Sequence, residues 1–114
     1  MADIQALKKR DVFSREYRKN TGYVFGYCTY YVASEIPDKV RPNWGNARDW
    51  PTNDSDPVAG GIVKTRESRL GHVAIVKEVK EETIIIREMN YVGYNIVSTR
   101  ELDKNDPIIQ GYIN

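Results

Sequence analysis

The chain has 114 residues, with 17 basic and 16 acidic side chains, 40% hydrophobic and 29% charged residues. That size and mix indicate one soluble, globular domain spanning 1–114, able to bury roughly 65% of the surface its unfolded chain exposes. The charge balance gives no electrostatic footprint for nucleic acid, and no run of about 18 apolar residues could insert into a membrane.

At the N-terminus, Met1-Ala2-Asp3-Ile4-Gln5-Ala6-Leu7-Lys8-Lys9-Arg10 lacks the apolar stretch and small-residue cleavage site of a signal peptide. The chain therefore reads as a mature or excised domain, or one released by another route. Residues 1–21 are polar and rich in helix formers, which predicts a short helix before a turn at Asn20-Thr21-Gly22. From Cys28 the apolar positions Cys28, Tyr31, Val32 and Ile36 recur every three to four residues between Gly26 and Pro37. This spacing predicts a helix over 28–36, with strand the competing reading because of the β-branched and aromatic content. Residues 42–57 are rich in Asn, Asp, Gly and Pro and read as a long loop with one helical turn near 46–50. Short β-rich runs follow at 61–64, 72–79, 83–88, 95–100 and 108–113, most of them separated by turn residues. Helix first and strands later, with hairpin-length gaps, predicts an α+β domain with an antiparallel sheet.

There is one cysteine and one histidine. A single cysteine excludes an intrachain disulfide and a cysteine-rich zinc site. Taken alone, Cys28 reads equally as a small buried hydrophobe, and His72 reads more readily as a surface or hydrogen-bonded residue than as a base. Their contexts favour chemistry. Cys28 opens the predicted helix, where free N–H groups and the dipole favour a thiolate, the form that attacks carbonyls. His72 follows Gly71 and opens the most apolar strand, where the core meets solvent. Folding 72–79 against 83–90 brings His72 opposite Asn90 if the connection is Lys80-Glu81-Glu82, with Glu88 a diagonal neighbour. It brings His72 opposite Glu88 if the connection is Lys80 alone, and opposite Met89 if it is Lys80-Glu81. No Gly or Asn in the turn chooses among these. Glu88 alternates with Ile84, Ile86 and Asn90, which suggests an acid at the end of a core face, suited to orient an imidazole.

Four blocks, Gly26-Tyr27-Cys28-Thr29-Tyr30-Tyr31-Val32, Trp44-Gly45-Asn46-Ala47-Arg48-Asp49-Trp50, Gly71-His72-Val73-Ala74-Ile75-Val76 and Glu88-Met89-Asn90-Tyr91, together resemble the CHAP family, the cysteine, histidine-dependent amidohydrolase/peptidases. The resemblance implies a papain-like fold with a helix bearing the nucleophile packed on an antiparallel sheet bearing the base. It implies a cysteine amidohydrolase or endopeptidase that cuts amide bonds of bacterial peptidoglycan, at the muramic acid–peptide junction or within the peptide bridges. Such a protein would work as a monomer, outside the cell or at its wall. By position Cys28 matches the nucleophile, His72 the base, Glu88 the orienting acid and Asn90 a further polar site residue. Tyr27 stands where many members carry Gln, so a Gln contribution to an oxyanion site is missing. The stretch 20–27 has no Asp, which predicts no calcium site, and no cofactor is expected. Trp44, Trp50, Tyr27 and Tyr91 are candidates to line a substrate groove, with core packing an equal reading for the tryptophans; Asn46 and Arg48 are candidate substrate contacts. Two other readings stay open: a wall-binding module without turnover, and a relative acting on other amides. The regular charged stretch 77–82 would also suit a redesigned family member with little activity.

Overall fold

The computed structural model describes residues 2–3, 10–12 and 21–114. Among them are strands β1 (Ala2–Asp3) and β2 (Arg10–Val12), helix α1 (Cys28–Glu35), and strands β3 (Ile62–Thr65), β4 (His72–Val79), β5 (Thr83–Met89), β6 (Ile96–Asp103) and β7 (Ile109–Ile113). All strands join one antiparallel sheet in the order β1-β6-β5-β4-β3-β7, with β2 also paired to β6. The architecture is α+β, as the pattern of elements predicts. At 2–3 and 10–12 the chain is strand, not helix; the rest of the predicted N-terminal helix lies outside the described residues.

The helix reading of 28–36 holds, and the reason lies in its burial. Cys28, Tyr30, Tyr31, Val32, Ala33 and Ser34 are all buried, so α1 is enclosed on nearly every side and carries little amphipathic signal. It starts where Gly26 takes a φ of 94° and Tyr27 is extended. It ends with the Ile36 N–H donating to the Val32 carbonyl at 3.0 Å, and Pro37 then blocks continuation. The loop at 42–57 holds a single 3-10 turn, Ala47–Asp49, within the stretch expected to turn.

The sheet separates two apolar layers. Ile62, Val73, Ile75, Met89, Val97 and Ile113 pack with Cys28, Tyr31 and Val32 of α1. Val63, Ala74, Val76, Ile84, Ile86, Leu102 and Tyr112 form the other layer. The side-chain period of two puts His72, Glu88, Ser98 and Arg100 on the strand face of this second layer.

The β4–β5 connection is Glu81-Glu82, closed by the Lys80 N–H donating to the Thr83 carbonyl at 2.8 Å. This turn differs from all three connections set out above. A β-bulge between Val76 and Glu78 then shifts the pairing by one residue, from Val79↔Ile84 to Ile75↔Arg87. Continued one-for-one, the shifted register sets Ala74 opposite Glu88 and His72 level with Asn90. This is the register of the three-residue connection, reached by a different turn.

Candidate active site

Cys28 is the first residue of α1, and its sulfur meets the start of β4. The N–H groups of Val73 and Thr29 donate to it, and the His72 imidazole is its side-chain partner. Burial alone pushes the thiol up, but the imidazole and these two N–H groups outweigh it and hold the thiol below its ordinary value. Cys28 retains 9% exposure, on the wall of an open cleft of about 880 Å³.

His72 is buried, and its Nε2 lies 2.7 Å from Glu88 Oε1, which leaves Nδ1 to face the sulfur. Burial lowers the basicity of this ring. The hydrogen bonds and negative charges of Cys28 and Glu88 reverse that and raise its pKa to about 10. Gly71 sets the ring in place. It takes a φ of 81°, and a Cβ there would stand 2.5 Å from the Arg48 backbone nitrogen. That close approach lets the Arg48 N–H donate to the Leu70 carbonyl at 2.8 Å, tying the 46–50 turn to the entry of β4.

Glu88 is fully buried and spends one oxygen on each of two partners. Oε1 meets His72, and Oε2 accepts from Arg100 Nε at 2.7 Å. Arg100 is also fully buried; its Nη2 bonds Glu67 Oε1, and its guanidinium carbon lies 3.7 Å from the Tyr91 ring centroid. Glu67 Oε1 in turn accepts from Thr65 Oγ1 at 2.8 Å. A polar row thus crosses four adjacent strands and the loop after β3, from Cys28 through His72, Glu88 and Arg100 to Glu67 and Thr65.

The sequence reading missed Arg100 and Glu67. Arg100 was nonetheless visible in principle, since it alternates with Ser98 and Leu102 on β6 and so had to point inward with them. Glu67 carried no comparable signal.

The remaining candidates divide. Tyr27, Asn46, Asn90 and Tyr91 line the cleft with Cys28 and His72. Asn90 sits just past β5 with a φ of 67° and donates its N–H to the Ile96 carbonyl at 3.1 Å. Trp50 requires a correction. It is fully buried, donates Nε1–H to the Gly45 carbonyl at 3.1 Å and packs against Tyr23 and Trp44, so it has no surface to offer a substrate. Trp44 is partly buried against the same core and does not line the cleft. Arg48 is exposed and does not line the cleft, and its Nη1 donates to the Arg69 carbonyl at 3.3 Å. In place of the tryptophans, the rim carries the exposed side chains Val24, Tyr27 and Leu70, with Tyr94 in edge contact with Tyr27 at 5.5 Å.

Among the described residues, Glu67, His72 and Glu88 form a group whose ligand atoms lie within 4.8 Å of one another. The donor set does not fit a metal ion. Arg100 already bonds both carboxylates, and the basic His72 ring adds a second positive charge.

One helix whose first residue meets an antiparallel sheet at the start of a strand is a papain-like arrangement. The fold is shared with the crystal structure of Ly7917, at a TM-score of 0.56 and 18% identity over 86% of this chain and 56% of that one. A second crystal structure, of Ly7917 with the hydrolyzing product of MDP, gives a TM-score of 0.57 at 17% identity. A family model described as CHAP domain matches residues 18–90, and the chain belongs to the CHAP family. It is 33% identical to the staphylococcal secretory antigen SsaA of Staphylococcus epidermidis over 102 residues, 81% of this chain and 40% of that protein. It is 32% identical to the secretory antigen ssaA2 of Staphylococcus aureus over 81% of this chain and 38% of that protein. The chain thus spans about two fifths of the length of these relatives. No helix among the described residues is long and apolar enough to cross a membrane.

Proposed function

We propose that the chain is a peptidoglycan hydrolase that cuts an amide bond through a Cys28–His72–Glu88 thiol mechanism. The observation that carries this reading is a meeting. The chain's only cysteine and only histidine are side-chain partners on the wall of an open cleft, and a buried carboxylate holds the far side of the ring. Membership of the CHAP family, the secretory antigens among its relatives and the MDP product named with Ly7917 support bacterial cell wall as the substrate.

The Cys28 thiolate attacks the amide carbonyl carbon and forms a C–S bond. The oxyanion is met by the Cys28 N–H, one of the first-turn donors of α1 that have no intrahelical acceptor. His72 gives its Nδ1 proton to the leaving amine as the C–N bond breaks, which leaves a thioester. The neutral ring then takes a proton from water, whose oxygen attacks the thioester, and collapse releases the acid and restores the thiolate. Glu88 fixes the ring through Nε2 and balances the imidazolium. Tyr27, Asn46, Asn90 and Tyr91 contact the substrate along the cleft. The bond cut is either the muramoyl–L-alanine amide or one within the peptide bridge, and the chain acts as a monomer outside the membrane.

The test is digestion of purified bacterial walls, with mass spectrometry of the fragments. The parent chain produces new amino termini that report the bond, and Cys28→Ala, folded as judged by circular dichroism, produces none. Wall cleavage by Cys28→Ala at the parent's rate would end this reading. Binding to walls by both chains without cleavage by either would replace it with a binding module.

A further inference from the structure

Behind Glu88, on the side away from His72, the protein buries a full positive charge for which a cysteine–histidine–acid mechanism has no assigned task. Arg100 is fully buried, bonds Glu88 Oε2 through Nε, reaches Glu67 through Nη2 and lies over the Tyr91 ring. Rows of buried charge are a poor means of stabilising a fold, since apolar side chains of similar volume do as well or better. What this row does supply is geometry at the ring. By occupying Oε2, Arg100 leaves Oε1 alone to face His72, and its planar fork sets the carboxylate's tilt in a way a point charge cannot.

We propose that Arg100 is a positioning residue for the Cys28–His72 pair: it orients the Glu88 carboxylate, supplies its counter-charge and so keeps the Nε2 proton on the imidazole. This rests on the reading of Cys28 and His72 as a working pair. Among the described residues, the charged and titratable groups around the carboxylate are few. His72 from β4 and Arg100 from β6 touch it, Cys28 of α1 faces the ring, Glu67 bonds Arg100, and Tyr91 covers the guanidinium. Asp106, in the turn before β7, also feels the charge of Arg100.

Two effects of removing Arg100 oppose each other. The imidazolium loses a repelling positive charge, and the carboxylate loses its counter-charge. The first is the smaller, because the guanidinium touches the carboxylate at 2.7 Å while the ring lies beyond it, on the other oxygen. The second dominates, because a buried carboxylate without a counter-charge draws the shared proton from Nε2 and the pair becomes neutral acid and neutral imidazole. The thiolate then has no imidazolium beside it and takes up a proton.

The test is the rate of Cys28 alkylation by iodoacetamide against pH, in the parent chain, Arg100→Lys, Arg100→Met and the double variant Arg100→Met with Glu67→Gln. Near-ultraviolet circular dichroism checks each fold. The midpoint of alkylation rises by about one pH unit or more in the Arg100→Met chains, which is about tenfold slower reaction at any pH below both midpoints. Arg100→Lys, which keeps the charge and loses the fork, falls between. Should Arg100→Met alone not fold, the double variant decides when read against Glu67→Gln alone in the same assay, because the Glu67 carboxylate itself lies within 4.8 Å of His72. A folded double variant with the midpoint of Glu67→Gln alone, or a folded Arg100→Met chain with the parent's midpoint, would overturn the assignment. The readout needs no cell-wall substrate, so a failure to cut peptidoglycan and a failure of the Arg100 role are separate results.

Discussion

Burial is the largest single influence on both Cys28 and His72, and in each case the partners together outweigh it. Burial opposes charge on both, yet the thiol is held down and the ring is pushed up to about 10, because each supplies the other's counter-ion. In the proposed mechanism the working form of the site is thus the ion pair, present from the depressed value of the thiol up to the raised value of the ring. Cleavage should therefore rise as pH passes the lowered value of the thiol and fall as pH rises through about 10, where the ring loses the proton it must give to the leaving amine. Glu88→Gln keeps an acceptor of the same shape for Nε2–H but removes the charge that helps raise the ring. We expect a loss in kcat on the order of 10²- to 10⁴-fold. The alkaline limb of the rate profile should also move below its position in the parent, as measured by wall cleavage across pH. An unmoved alkaline limb would show that Glu88 does not set the charge of His72.

At the scale of elements, the site is an intersection. The start of α1 delivers the sulfur, the start of β4 delivers the ring, and the bulge in the β4–β5 hairpin brings the acid into line with it. Gly71 governs the second of these. Its positive φ and the 2.5 Å that a Cβ would leave to the Arg48 backbone nitrogen are both intolerant of a side chain, since the obstructing atom is main chain. Gly71→Ala should cost roughly 1–3 kcal/mol of stability from the backbone conformation alone. It should also break the Arg48 N–H to Leu70 carbonyl bond and displace His72. Urea unfolding and Cys28 alkylation would report the two consequences together. A variant as stable as the parent would mean that the 46–50 turn yields easily and does not brace β4.

For the whole molecule, the ion pair shapes stability against pH. His72 is raised from 6.5 to about 10, so its contribution is complete below 6.5 and is lost as pH climbs to about 10. Cys28 is lowered from 9.0, so its contribution is complete above 9.0 and is lost as pH falls through its folded value. At pH values up to 9.0 that lie above both 6.5 and the thiol's lowered value, the two slopes cancel, because the folded ion pair binds as many protons as the neutral thiol and neutral imidazole of the unfolded chain. The pair thus adds a plateau over that range, and its contribution falls as pH rises above 9.0. In Cys28→Ala the cancellation is gone and Glu88 still favours the imidazolium. Stability in that variant should decline with rising pH above 6.5, by at most about 1.4 kcal/mol per pH unit relative to the parent. Urea midpoints of the two chains at several pH values would check this, and parallel curves would show that no ion pair forms.

Local chemistry was enough to place α1 after Gly26 and before Pro37, to start β4 at His72, and to mark Cys28, His72 and Glu88 as the residues to watch. Those readings depend on spacing along the chain and on backbone rules that act within a few residues. The four blocks were likewise sufficient to indicate the family to which the chain belongs. Tertiary structure alone decided the rest. The Glu81-Glu82 turn and the bulge could not be read locally, because no residue there prefers one turn type, and only the bulge's compensation puts Glu88 and His72 on one face in reach of each other. Trp50 became core and Tyr27 became rim for the same reason: both are large aromatics in irregular segments, and which of them is covered depends on packing between distant parts of the chain. Arg100 belongs to this second class. Its parity on β6 pointed it inward, but its partners Glu88, Glu67 and Tyr91 come from elsewhere in the sequence, and a buried charge is intelligible only with its partners in place.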